Sequence, residues 1–302
     1  MELSISDFEF LDSFEHLGDY HLDSSKKNRL NLFSLRINAN EFDYQSLQEN
    51  LLEPLIDFSL SRAVKAEFKN KPAKLSKKAR EKFISYINNK GELGELLLYS
   101  FLESHLNAPK ILSKLELKTS TSHYVNGADG VHFLKLNNGD YQLIFGESKT
   151  EVGITKGITD AFKSIYEFKH EINSKGDGKS GLPYEKSLIS DHLGRETFTD
   201  EERELIKSII YPTRNEKFYV DDAFGVFIGY EMKINESDKK LSNAEFREKI
   251  KNDIINEVKG RFEHIQKKIN EYDLSGHNFY IYFLPITDLK DNRLKIQKGI
   301  TE

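Results

Sequence analysis

The chain has 302 residues, with 38% hydrophobic, 12% aromatic and 31% charged residues and a formal net charge of −5. That length gives ample core for one large or two small globular units. The absence of cysteine excludes disulfides and thiolate metal sites and agrees with a reducing, cytoplasmic setting. The longest apolar run, residues 279–286, is too short to cross a bilayer, and residues 1–3 open no secretory pattern, so no membrane contact is expected.

Whole-chain acidity argues mildly against nucleic-acid binding, but the charge is unevenly placed. Between residues 62 and 90 ten basic side chains face two acidic ones. Before that stretch, residues 1–41 read as short strands, the best being 30–37, and residues 44–60 as a helix. The basic stretch includes Lys74, Lys77, Lys78 and Arg80. It is either a solvated helix face or a phosphate-contacting surface with little sequence information in it. His16, His21 and Asp19 make no convincing metal set.

Residues 91–102 are strongly apolar and helical, yet carry Glu92 and Glu95. At 3.6 residues per turn Glu95 aligns with Leu102 and Leu106 on the buried stripe, whereas Glu92 aligns with Glu103 towards water. A carboxylate on a core stripe is costly unless paired or metal-bound. A short strand at 115–118 and a polar loop at 119–127 then deliver Asp129.

From Asp129 to Lys149 the pattern is a hairpin. Two period-two runs flank Asn137-Asn138-Gly139. A three-residue loop with Gly139 in the left-handed position pairs Leu136 with Asp140 and, counting back, sets Asp129 opposite Glu147. A two-residue turn would move Asp129 to the other face; the three-residue loop is preferred. Two adjacent carboxylates repel unless a cation lies between them, and an all-oxygen donor set suits Mg²⁺, with Mn²⁺ as a substitute. Lys149 shares the face of Glu147 and would position an attacking water. Glu-x-Lys occurs five more times in the chain. Glu231-Met232-Lys233 is the serious competitor, but its aspartates, Asp221 and Asp222, precede the same strand rather than a partner strand.

Residues 155–172 form an amphipathic helix with Ile158, Ala161, Phe162, Ile165 and Phe168 inward and Lys156 and Lys163 outward. Residues 173–181 contain Gly-Lys-Ser, but Asn173 stands where a phosphate-binding loop needs glycine, so no ATPase is expected here. Helices near 188 and at 199–209, a strand at 223–230, a long helix at 243–271 and a strand at 278–285 complete one α/β unit.

The unit Asp-(x)n-Glu-x-Lys on paired strands resembles the PD-(D/E)xK nuclease superfamily. With Gly-Glu-Leu-Gly-Glu-Leu-Leu-Leu-Tyr (91–99), Asn-Gly-Ala-Asp-Gly-Val-His-Phe (126–133) and Phe-Gly-Glu-Ser-Lys (145–149), the chain more closely resembles the HamA family, nuclease subunits of the Hachiman antiphage defence system. The likeness is clearest over residues 91–168. It implies a restriction-endonuclease-like mixed sheet flanked by helices, with an N-terminal elaboration (1–75), a catalytic core (76–172) and completing strands and helices (173–302). It also implies Asp129, Glu147 and Lys149 as catalytic residues, Glu95 as the helical acid and further metal ligand, DNA as substrate and a superfamily 2 helicase (HamB-like) as partner. Lys74, Lys77, Lys78, Arg80, Lys156 and Lys163 are the candidate nucleic-acid contacts. The rival expectations are a catalytically silent DNA-binding or helicase-adaptor subunit, and RNA cleavage by the same chemistry.

Overall fold

A computed structural model describes residues 3, 9–84, 91–113, 115, 127–172, 175–178, 181–193 and 199–302. In chain order the elements are α1 (Glu9–Asp12), β1 (Phe14–His21), β2 (Asn28–Leu35), β3 (Ile37–Asn38), β4 (Glu41–Phe42), α2 (Tyr44–Asn50), α3 (Leu52–Ser59), α4 (Arg62–Glu67), α5 (Pro72–Ile84) and α6 (Glu92–Ser104). They continue with β5 (Lys110–Ser113), β6 (Gly130–Lys135), β7 (Tyr141–Glu151), α7 (Ile154–Lys169), α8 (Leu182–Leu193), α9 (Asp200–Ile210), β8 (Val220–Glu231), α10 (Asn243–Lys259), α11 (Phe262–Glu271), β9 (Asn278–Ile286) and α12 (Leu289–Thr301).

Seven strands form one mixed sheet in the order β1-β2-β9-β8-β7-β6-β5. The four central strands, β2, β9, β8 and β7, run parallel, and the antiparallel pairs lie towards the edges. The middle strands read as nearly continuous apolar runs because helices cover both of their faces. Phe145 meets Phe168 of α7, whereas Phe227 meets Phe101 of α6, so these two helices lie on opposite faces. Gly146 and Gly225 let α6 approach closely. A side chain at Gly146 would come within 3.1 Å of Leu98, and one at Gly225 within 3.0 Å of Leu102.

All thirteen residues of α6 are buried, which corrects the expectation that Glu92 and Glu103 face water. The helix is enclosed by β7 and β8 beneath and by α1 and α3 outside, so it has no wet stripe. Glu103 accepts a hydrogen bond from the Lys110 backbone N–H at 2.6 Å. Two helices expected to be continuous are each divided. The first breaks at Leu51, between α2 and α3, and the second at Gly260–Arg261, between α10 and α11. The strand before the hairpin is β5 at Lys110–Ser113. The expected strand at 115–118 and the loop at 119–126 lie, apart from Leu115, outside the described residues. Helix α12, not anticipated from the sequence, packs on α2 and α5.

Candidate active site

Two devices fix the hairpin. Gly139 takes φ +91°, and the Leu136 N–H donates to Asp140 O at 2.8 Å, closing the three-residue loop. The ladder then runs from Lys135↔Tyr141 to Val131↔Phe145, the register read from the turn. Beyond that last rung the Asp129 N–H donates to Gly146 O at 2.8 Å, so Asp129 is held at the hairpin's open end, level with the start of Glu147-Ser148-Lys149.

The carboxylates there turn different ways. Asp129 Oδ2 accepts from the Ser148 N–H at 2.8 Å and from Ser148 Oγ at 2.9 Å. Among the described residues no strand pairs with β7 at this point, and the Asp129 carboxylate takes that place. Ser148 belongs to the α6 face, where its Oγ lies by Gly94. Glu147 and Lys149, with Phe145 and Glu151, belong to the α7 face by strand alternation. Glu147 accepts a hydrogen bond from Lys149 Nζ in a half-buried ion pair.

Glu95 is buried on the inner stripe of α6, as its spacing indicated, and shares with Asp129, His132 and Gly146 a cavity of ≈ 10 Å³. That volume is about what one water needs. His132 Nδ1–H donates to Ala108 O at 2.8 Å, and burial pushes its pKa down to about 3, so it is neutral at physiological pH. The structure thus brings Asp129 beside Glu95 on one side and beside the Glu147–Lys149 pair along the strand. Among the described residues, no three acidic or histidine side chains gather as a metal-holding group. The donor set remains all oxygen. Magnesium commonly binds through one or two carboxylates with water and phosphate oxygens completing its shell. Asp129 and Glu95 face the same cavity, whereas Glu147 lies on the other face of β7 and would reach that side only by leaving Lys149.

Sequence reasoning passed over two neighbours. Ser148, the middle residue of the tripeptide, anchors Asp129. Glu185 of α8 is buried with its carboxylate where a side chain on Gly127 would lie, and the adjacent Lys186 pairs with Asp222 at 3.0 Å. The one sequence signal for Glu185 was the glycine two residues before Asp129.

The candidate phosphate contacts divide. Lys74, Lys77 and Lys78 are exposed on α5 and Arg80 is half-buried there; Lys77 approaches Glu81 at 3.7 Å, and Lys78 lies over the Phe68 ring. On the other face of the sheet Lys156 pairs with Glu151 and Asp160, each at 2.8 Å, and Lys163 approaches Glu167 at 3.7 Å. No helix of the described residues is long and apolar enough to cross a membrane.

Fold and site together define a mixed α/β protein in which a hairpin presents an acidic and a basic side chain at the open edge of a buried parallel strand. A sequence model of the HamA family matches residues 9–300, and the chain belongs to that family. Membership suggests a role in antiphage defence. No curated protein matches the chain.

Proposed function

We propose that the chain is a Mg²⁺-dependent DNA endonuclease or nickase of low sequence preference, built on a PD-(D/E)xK core and serving as the effector of a defence system. The observation that carries this is the hairpin register, which sets Asp129 at the open edge of β7 beside Glu147 and Lys149. Asp129 and Glu147 would hold the cation, Glu147 by leaving Lys149 and turning round the end of the hairpin to the side of Asp129, with Glu95 supporting the ion or its water from α6. When bound, the metal polarises the phosphodiester and lowers the pKa of an attacking water. Ser148 orients Asp129 through two hydrogen bonds, and Lys149 offsets charge that develops on the phosphate. The exposed lysines of α5 would hold the DNA backbone without reading bases. A nuclease of broad specificity endangers its host, so restraint by a partner helicase until invading or damaged DNA is sensed completes the proposal.

One observation favours the rival role of a silent adaptor. Lys149 already occupies an oxygen of Glu147, as it would in a purely structural pair. Plasmid cleavage with Mg²⁺ by the purified chain, alone and with its helicase, separates the two. The nuclease reading expects nicks that Glu147→Ala abolishes. Equal cleavage by both proteins would sink the Glu147 site, and none with the partner and DNA present would support the adaptor.

A further inference from the structure

Helices α4 and α5 meet at a tight corner, Phe68–Lys71, where the Lys71 N–H donates to Phe68 O at 2.8 Å. Phe68 is half-buried and, among the described residues, belongs neither to the main core nor to the apolar side chains packed on it. Its ring lies instead under two ammonium groups, Lys71 Nζ at 6.0 Å and Lys78 Nζ at 5.5 Å from the centroid. Lysine stems can shelter a ring in this way, so exposure alone decides nothing. The charges around the ring are more telling.

Between residues 62 and 84 nine basic side chains stand against two acidic ones, Glu67 and Glu81. Lys65 is paired with Asp57, and Lys77 approaches Glu81 at 3.7 Å. Lys69, Lys71, Lys74 and Lys78 are exposed and form no salt bridge among the described residues. Lys71, Lys74 and Lys78 follow at three- and four-residue spacing, so they share one face at the start of α5, about 10 Å long. Phe68 sits along that row, between the charges at its two ends. Helix α5 packs on α3, and α3 on α6; Phe58 of α3 lines the cavity that holds Glu95 and Asp129. The corner therefore belongs to the same side of the sheet as the Asp129 carboxylate.

Cations alone would suit any polyanion. An aromatic ring set among them narrows the choice. In a duplex the bases are stacked on one another and offer the protein only their edges and phosphates. An unpaired base offers its flat face, which stacks on an aromatic side chain whatever its sequence. An exposed cation–π contact is weaker than that stacking, so an arriving base would displace the two ammonium groups from the ring. They would then lie on either side of the base, where the phosphates of its strand run. We propose that the Phe68 corner binds single-stranded DNA, with one base stacked on Phe68 and the flanking phosphates held by Lys71, Lys74 and Lys78. This deepens the nuclease reading by naming the form of the nucleic acid, and it rests on that reading only for the choice of DNA. Binding without metal tests it separately from cleavage.

The test is fluorescence anisotropy of a labelled oligothymidylate and of a duplex of equal length, titrated with the full chain in EDTA at low salt. Phe68→Leu keeps the apolar bulk and removes the π-face. It should bind the single strand about tenfold more weakly and the duplex within about twofold of the parent. Tyr211→Leu, at an exposed aromatic just past α9, is the control and should change neither. The chain contains no tryptophan, so in Phe68→Trp the indole emission reports this position alone; it should be quenched by the oligothymidylate, with affinity retained. Lys71→Gln combined with Lys78→Gln should reduce the salt dependence of single-strand binding by about 0.7 per lost contact. Circular dichroism shows that each variant is folded; should Phe68→Leu fail it, quenching in Phe68→Trp decides. Equal losses on single strand and duplex, unchanged single-strand affinity in Phe68→Leu, an equal loss in Tyr211→Leu, or unquenched Phe68→Trp would each overturn the proposal. So would a polyglutamate peptide that competes as well as the oligonucleotide.

Discussion

Two Glu-x-Lys tripeptides lie on adjacent parallel strands at different heights, Glu147 level with Val226 and Glu231 beyond the Glu151–Tyr230 rung, and they have different fates. Glu147-Ser148-Lys149 lies near the end of β7, and Glu231-Met232-Lys233 at the end of β8. Strand β8 is flanked on both sides: the Glu231 N–H reaches Val152 O at 3.3 Å, and the Met232 N–H reaches Ile286 O at 2.9 Å. Its glutamate is turned to the start of α12, where it caps the Leu289 N–H. Strand β7 has a partner that stops short. Strand β6 begins at Gly130, so among the described residues no strand pairs with β7 past Gly146 on that side, and the carboxylate of Asp129 bonds there instead. The tripeptide is therefore not the distinguishing feature. The length of the neighbouring strand is.

The largest expected effect contrasts the two glutamates directly. In Mg²⁺-dependent plasmid cleavage, Glu147→Gln should lose activity by about a hundredfold or more, because a removed metal ligand or proton-handling group costs at least that much. Glu231→Gln should cleave within about twofold of the parent and lose only about 1 kcal/mol of stability, the worth of a helix cap. Reversed results would move the candidate site to β8.

A second difference lies in pH dependence. His132, on β6 within the hairpin, has its pKa depressed by burial to about 3 from 6.5. Below pH 6.5 the unfolded chain takes up a proton there that the folded chain refuses, so stability falls as pH falls, by about 1.4 kcal/mol per pH unit until pH ~3. Urea unfolding at pH 6.5 and pH 4.5 should show a loss about 2 kcal/mol larger in the parent than in His132→Asn. Parallel pH profiles for the two proteins would contradict this burial effect.

Packing distinguishes the strands next. A methyl group at Gly146 would meet backbone atoms of Gly130 at 3.3 Å as well as Leu98, whereas one at Gly225 would meet only the ends of Leu102 and Ile144 side chains. Backbone cannot yield as a side chain does. Gly146→Ala should therefore cost about 1–3 kcal/mol in thermal or denaturant unfolding and Gly225→Ala less. The smallest effect concerns DNA affinity. Removing Lys74, Lys77 and Lys78 should weaken duplex binding uniformly and reduce its salt dependence by about 0.9 per lost phosphate contact. Removing Lys156 and Lys163, already engaged with carboxylates, should change little.

What the sequence revealed follows the range of the forces involved. The hairpin register was legible because one glycine in a tight loop dictates it. The burial of Glu95 was legible because helical periodicity is local. Glu92 and Glu103 were misplaced because their burial depends on α1 and α3 closing over α6, contacts that no local pattern encodes. Breaks at Leu51 and at Gly260–Arg261 were invisible for a related reason: apolar spacing continues across so short an interruption. Helix α12 was missed because its polar face dominates its composition. The opposite directions taken by Asp129 and Glu147 depend on where β6 begins, which the turn alone does not set.

The central claim is that Asp129 and Glu147 jointly hold a divalent cation at the open edge of β7. Isothermal titration of Mn²⁺ into the purified chain, Asp129→Asn, Glu147→Gln and the double variant tests it most directly. The account predicts one strong site, lost to a similar extent in each single variant and no further in the double variant, with Glu231→Gln unaffected. Mn²⁺ affinity that is unchanged in Asp129→Asn and in Glu147→Gln would contradict it.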